Sequence, residues 1–572
     1  MRLLLVLSLL LLSQAPLAQK VVPQASNSPA GLANCALGTA EAFLNAGAVR
    51  AALYNNGALF NRGTDPTYEV PAGSGINAMF STTLMVGGLA DDTLRFAGST
   101  YGPYEFWPGP LDADGETTAE TCAAFDRIWT VTIDDLETYD RTGTATADLE
   151  DWPIAVGAPF YIDTNGNGRQ DEGVVDASES TISLDPGDAG YGTRRLNLKA
   201  GERPVILGVQ TAWWVMNDAG GEHEWSEAPA LGIEVRAMAW TTGGGSLDEL
   251  GRSTFYRHEI INRSGRALED VRAGLYLDPD LGGPLDDRVG SDSTRQMVIV
   301  YNGADVDEGT WGYGDRPPAL GVDLLSGASS VLHPFKGTPS GAGEPNEAPG
   351  AYNYLGGLWE DGSPLLTGEF GYDGDINFRG EIEEYEFGPA TRWSFSGDGA
   401  AGEFWSQENI DGQGTPLIPS DKKAVIAAPA VDLEAGERTV LDAAVLFARG
   451  ADRLDSIVRL LEVSDAAQAY YEDGGLAVSD EAVPSRPGLA LETYPNPASS
   501  RVEVAFALPV AGPVRLAVYD VLGRQVAVLE DGLVAAGEHR RALEVERLAP
   551  GVYVVVLEGA EARASRTVTV VR

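Results

Sequence analysis

Along most of the chain, apolar residues come in short runs of strand length, either alternating with polar residues or rich in β-branched ones. Gly, Asp, Asn and Pro separate these runs. The clearest are 83–89 (TLMVGGL), 127–133 (RIWTVTI), 231–240 (LGIEVRAMAW), 253–261 (STFYRHEII), 271–277 (VRAGLYL) and 297–301 (MVIVY). Many short strands between dense turns predict stacked antiparallel sheets in place of alternating β/α units. The expected fold class is therefore mainly β, with a multidomain β-sandwich body. One stretch has the other period. Residues 452–473 place Leu454, Ile457, Val458 and Leu461 at helical spacing behind Asp452, a helix-capping residue type, followed by Ala466, Ala469 and Tyr470. It is the one long helix expected, and it closes the body. No fixed period recurs, which excludes solenoid and propeller arrays.

The last eighty residues carry the same β pattern in a unit of their own. Strand-length runs occupy 501–507, 513–519, 525–529, 539–545, 551–557 and 563–571, punctuated by Leu522-Gly523, Ala536-Gly537 and Pro550-Gly551. Six or so regularly spaced strands without a helix predict a small immunoglobulin-like sandwich over 492–572.

Within that unit, Tyr494-Pro495-Asn496-Pro497, Asp520, Gly523, Pro550-Gly551 and Tyr553 occur in order. This set resembles the type A C-terminal sorting domain of cargo exported by the type IX (Por) secretion system of Bacteroidota-like bacteria. The resemblance implies that the tail is read by the outer-membrane translocon and is commonly removed as the cargo is attached or released.

The opposite end agrees with export. Arg2 precedes LLLVLSLLLL, an apolar core too short to span a bilayer, which fits a secretory signal peptide over residues 1–18. No other segment is apolar enough to cross a membrane. The expected organisation is an N-terminal β-rich domain over 19–150, a central sandwich region over 151–474 with acidic loops and the closing helix, and a linker over 475–491 rich in small and acidic residues with Pro484 and Pro487.

Charge narrows the partners. The 572 residues include 84 acidic and 40 basic ones, a formal net charge of −44, which argues against nucleic acid and anionic lipid. Such an excess serves either solubility or the binding of divalent cations. The two cysteines, Cys35 and Cys122, lie in no CxxC motif; in an exported chain they are either bridged or two buried thiols.

The sharpest candidate chemistry is DTNGNGRQDEG, residues 163–173. Asp163, Asn165 and Asn167 offer oxygens at every second position, Arg169 its carbonyl, and Asp171 or Glu172 a closing carboxylate. Calcium takes six to eight such oxygens on a flexible loop. The loop resembles those of EF-hands and dockerins but has Val174 where an EF-hand ends on glutamate, and a plain Asn-Gly hairpin accounts for the same residues. A second cluster, residues 277–293, contains Asp278, Asp280, Asp286, Asp287 and Asp292, with Asn302, Asp305 and Asp307 after the next strand. These carboxylates are either metal-bound or solvated. Segment 371–386 is a weaker third candidate.

Paired carboxylates near Trp213, Trp214, Trp225, Trp359 and Trp405 also suit a glycoside hydrolase, with the indoles stacking sugars. Other catalytic motifs fail. His223, His258, His333 and His539 are scattered, no GxSxG occurs, and the glycines Gly397, Gly399 and Gly402 lack a βαβ context. The phrases YEVPAGSGINAMF, TAWWVMNDAGG, LYLDPDLGGPLDDRVGSDS and VLFARGADRLDSIVRL resemble those of large secreted proteins sharing this tail, which implies a surface setting and no particular reaction. The sequence thus leads to an exported, calcium-stabilised structural or binding protein, the type IX machinery its partner and a surface polysaccharide a possible ligand. The alternative is a secreted polysaccharide hydrolase.

Overall fold

A computed structural model describes residues 33–63, 65–163, 181–243, 250–335, 341–373, 387–472 and 490–494, and in the C-terminal unit 501–508, 512–520, 524–534, 537–545, 548–549, 551–558 and 563–570. The expected leader, the loop after Asp163 and most of the linker lie outside these.

Two antiparallel sheets make the body. In the first, Ser81–Ala90 pairs with Ala58–Leu59, Thr93–Ala97 and Leu268–Asp278, and the sheet continues through Ala424–Ala427 to Ser330–Leu332. The second runs Asp287–Asp292, Met297–Asn302, Ala319–Leu324, Arg438–Ala448, Thr254–Asn262, Ile233–Thr241, Gln210–Asn217. Trp107–Pro108 and Trp129–Thr132 both pair with that last strand. These strands coincide with the apolar runs of the sequence, as 253–261 does with Thr254–Asn262.

Alternation sorts the second sheet into two faces. Trp214, Val235, Ala237, Tyr256, Val298, Leu320 and Val445 meet Leu84, Val86 and Leu275 of the first sheet in one core. Trp213, Val215, Met238, Trp240, Phe255, Ile299 and Leu446 point the other way, into a second core that Ile457, Leu460, Val463 and Ala467 of the helix Arg453–Glu472 help to fill. Burying each large apolar side chain contributes about 1.5–3 kcal/mol over leaving it exposed. The helix begins where the sequence places it: Asp452 Oδ1 accepts from the amides of Leu454 at 3.0 Å and Asp455 at 2.8 Å.

Shorter helices add to it, two of them of eight residues or more. Ile133–Thr142 opens on a capping box between Thr132 and Asp135. Ala348–Leu355 lies on the outer face of the first sheet, and Gly87 lets it approach, since a Cβ there would sit 2.7 Å from a Tyr352 ring carbon.

The sheets do not divide at residue 150. Glu269 is opposite Leu89, and Trp129–Thr132 pairs with Gln210–Asn217, so residues on both sides of the expected cut share both sheets. Trp152 and Ile154, beside the cut, are buried in the layer that covers the second sheet. Asp185 fastens that layer, accepting from Arg236 at 2.8 Å and Arg263 at 2.9 Å and pairing with Arg438.

The C-terminal unit is a sandwich of three strands (Ala490–Tyr494, Arg501–Leu508, Gly537–Glu544) and four (Gln525–Val534, Gly512–Asp520, Gly551–Glu558, Arg563–Val570). Val502, Val504, Phe506, Leu516, Val518, Val555 and Leu557 fill it. Its first strand starts inside the stretch read from sequence as linker. Among the described residues no helix is long and apolar enough to cross a membrane.

Candidate functional site

The acidic residues of 277–307 gather where the chain leaves the first sheet at Asp278 and enters the edge strand of the second at Asp287. They form two neighbouring groups with different chemistry.

The first group is closed by a lysine. Ligand oxygens of Asp278, Asp280 and Asp421 lie within 4.8 Å of one another. Lys423, immediately before the strand Ala424–Ala427, donates to Asp278 Oδ1 and, at 2.6 Å, to Asp421 Oδ1. The Tyr101 hydroxyl donates to Asp278 Oδ2 at 2.8 Å and lies 3.1 Å from the Tyr276 hydroxyl. Burial works to lower the Lys423 pKa, but the facing carboxylates outweigh it and hold the ammonium charged.

The second group has no such closure. Asp287 is 0% exposed; its Oδ2 accepts from the Leu281 amide at 3.1 Å, and its Oδ1 meets no hydrogen-bond partner among the described residues. Asp286 Oδ1 is likewise buried and unpartnered. Asp307, 1% exposed, accepts from the Gly283 amide at 3.2 Å and the Tyr313 amide at 2.7 Å. Burial, then the charges of Asp286, Asp280 and Asp307, push the Asp287 carboxyl well above the usual range. Burial lowers nearby Lys422 to about 8, against the pull of Asp287; its ammonium donates to Ser420 Oγ at 2.8 Å.

The turn Gly282-Gly283 makes this crowding possible. Gly282 has φ +74°, and a Cβ there would lie 2.1 Å from Asp307 Oδ2. A Cβ on Gly283 would lie 2.8 Å from Asp307 Oδ1 and 3.4 Å from Asp286 Oδ1, so those two oxygens flank the same glycine.

The other candidates stand apart. Asp292 ends the strand that Asp287 begins, about 17 Å away at 3.4 Å per residue, and pairs with Arg295 at 2.8 Å. Asp305 is exposed and lies 3.5 Å from Arg453. Asp163 is buried after the strand Phe160–Ile162, while Asn165, Asn167, Arg169, Asp171 and Glu172 lie outside the described residues. So does most of 371–386. Cys35 and Cys122 form a disulfide with Cα atoms 5.8 Å apart. Trp213, Trp214, Trp359 and Trp405 are each 1% exposed, and Trp225 packs 6.1 Å from Phe96.

Two features escaped the sequence reading. One is the lysine pair Lys422-Lys423, whose only sequence signal was its position before an apolar strand. The other is His223, buried with Nδ1 2.6 Å from the Phe96 carbonyl, Nε2 2.7 Å from the Asp218 carbonyl, and Glu105 at 3.6 Å. These four residues come from two segments, 96–105 and 218–223, which no local motif announces.

In the C-terminal unit, Tyr494 ends the first strand, and Asp520 is opposite Tyr553 in the pairing register. Tyr553 is buried, with its hydroxyl donating to the Ala549 carbonyl at 2.8 Å. Pro495, Asn496, Pro497, Gly523 and Pro550 lie outside the described residues.

Residues 492–571 match the family described as the secretion system C-terminal sorting domain, and the chain is cargo of the type IX system. Such a domain places the protein at the cell surface or outside the cell and implies contact with the secretion machinery. No curated protein matches the chain. A solved polysaccharide lyase is 10% identical over 59% of this chain and 34% of its own, with a TM-score of 0.18. Dimeric latent PorU from Porphyromonas gingivalis is 8% identical over 63% and 31%, with a TM-score of 0.13. The chain spans about a third of the length of each, and neither likeness bears on its function.

Proposed function

We propose that this exported protein serves at the cell surface or outside the cell as a structural or binding component whose sandwich is stabilised by calcium. The observation that carries the reading is the burial of the side chains a hydrolase would use. Trp213, Trp214, Trp359 and Trp405 are core residues, Asp287 is enclosed, and Asp278 is held by Lys423. Glycoside hydrolysis needs two carboxyl groups flanking a sugar in an open groove. Buried carboxylates at a junction between sheets instead fix how the sheets meet. The type IX tail supplies the location.

Incubating the purified mature protein with a panel of cell-surface and plant polysaccharides tests this. The reading expects retention of some glycans without new reducing ends. New reducing ends would favour the alternative, a polysaccharide hydrolase.

A further inference from the structure

We infer that Trp311, in the hairpin turn that joins Val306–Asp307 to Gly314–Asp315, is a stacking platform for one ring of an uncharged glycan. This rests on the reading of the protein as a binding component and gives that binding a place.

The tryptophans singled out from sequence are buried or packed against the core. Trp311 is the exception: it is 65% exposed, and among the described residues it is the one exposed tryptophan. Single exposed apolar residues are common, but this one stands on a clamped mount. Asp307, 1% exposed, accepts from the Tyr313 amide at 2.7 Å and the Gly283 amide at 3.2 Å. Arg449 donates to the carbonyls of Tyr313 at 3.0 Å, Asp315 at 2.7 Å and Arg316 at 2.7 Å. The buried Tyr313 ring packs 5.7 Å from Phe447. A Cβ on Gly312 would lie 2.3 Å from the Asp307 carbonyl oxygen, so glycine lets the chain pass that close beside Trp311. Folding has thus already ordered the hairpin, and a ligand does not incur that entropy again.

The surroundings set the class of ligand. Asp305, Glu308 and Asp315 are exposed on the hairpin against Arg316, with the Thr310 hydroxyl next to the indole. A sugar ring offers C–H groups to the apolar indole face and hydroxyls that donate to carboxylates. The same carboxylates repel uronic acids and sulfated sugars. A protein partner fits less well. A standard interface covers about 800 Å² on each side and is depleted of charge at its core, whereas an indole offers at most about 250 Å² and here has carboxylates around it.

The test uses the full mature chain in native affinity electrophoresis through gels containing dextran, glucomannan, arabinoxylan or polygalacturonate, with light scattering of the same samples. Wild type is expected to be retarded by at least one of the three neutral glycans and not by polygalacturonate. Trp311→Ala should weaken that retention at least about tenfold. Trp311→Phe should recover part of it, and both variants should melt as wild type does, since the side chain is exposed. If a neutral glycan retards wild type and Trp311→Ala equally, the site is overturned while the binding reading stands. Retardation by polygalacturonate alone overturns the proposal. So does self-association of the wild type that Trp311→Ala abolishes, which would assign the indole to a second copy of the chain. If no glycan retards the wild type, the glycan-binding reading falls with the site.

Discussion

Lys423 donates to Asp278 across the end of the first sheet, with their side chains 2% and 5% exposed. The ammonium also meets Asp421, so one charge holds two carboxylates. Breaking a buried pair by removing one partner costs about 3–5 kcal/mol, because the other charge stays enclosed. Lys423→Met should therefore lower the urea midpoint strongly at neutral pH. Calcium should restore part of the loss, since Asp278, Asp280 and Asp421 are then left without their ammonium. An unchanged midpoint would contradict this.

Asp323 should impose a pH dependence of its own. It is buried, accepts from the Ser464 hydroxyl at 2.6 Å, and burial pushes its carboxyl up to about 7 from 3.8. Between those values the folded protein keeps a proton that the unfolded chain has lost. This contribution is thus full below about pH 4 and declines as pH rises to 7. His258 and His333, each lowered by burial to about 4 from 6.5, act in the opposite sense. The difference between wild type and Asp323→Asn isolates the carboxyl. Asp323→Asn should gain melting temperature relative to wild type from pH 4 to 7, and parallel curves would contradict the assignment.

The Cys35–Cys122 disulfide spans 87 residues and ties the first described residues to the helix Ala119–Ala124. Losing a native bridge of this kind costs about 2–5 kcal/mol. The double variant Cys35→Ser, Cys122→Ser should denature at lower guanidinium concentration than the oxidised wild type. Equal midpoints would show that the bridge adds nothing.

Export depends on the C-terminal sandwich. Removing residues 492–572 should leave the body in the periplasm, as read by fractionation and immunoblotting. Arrival of the truncated body at the surface or in the medium would contradict the sorting role.

Local structure was largely legible, because strand and helix periods are written in neighbouring residues. The run 271–277 lies inside the strand Leu268–Asp278, and Asp452 caps the helix it was expected to cap. Partners distant in sequence were not legible. Leu268–Asp278 pairs with Ser81–Ala90, across the boundary expected near residue 150. The acidic stretch shows the same limit. Asp278 and Asp287 look alike in sequence, but Lys423, 145 residues away, closes the first and leaves the second open. Asp292 looks equally near, yet an extended strand carries it to the opposite end.

The most direct test of the account is the melting temperature of the mature full-length protein in calcium and in chelator. A ligand that binds only the folded state at a hundred times its dissociation constant stabilises by about 2.7 kcal/mol. The account predicts a higher melting temperature in calcium than in chelator. Identical melting in calcium and chelator would contradict it.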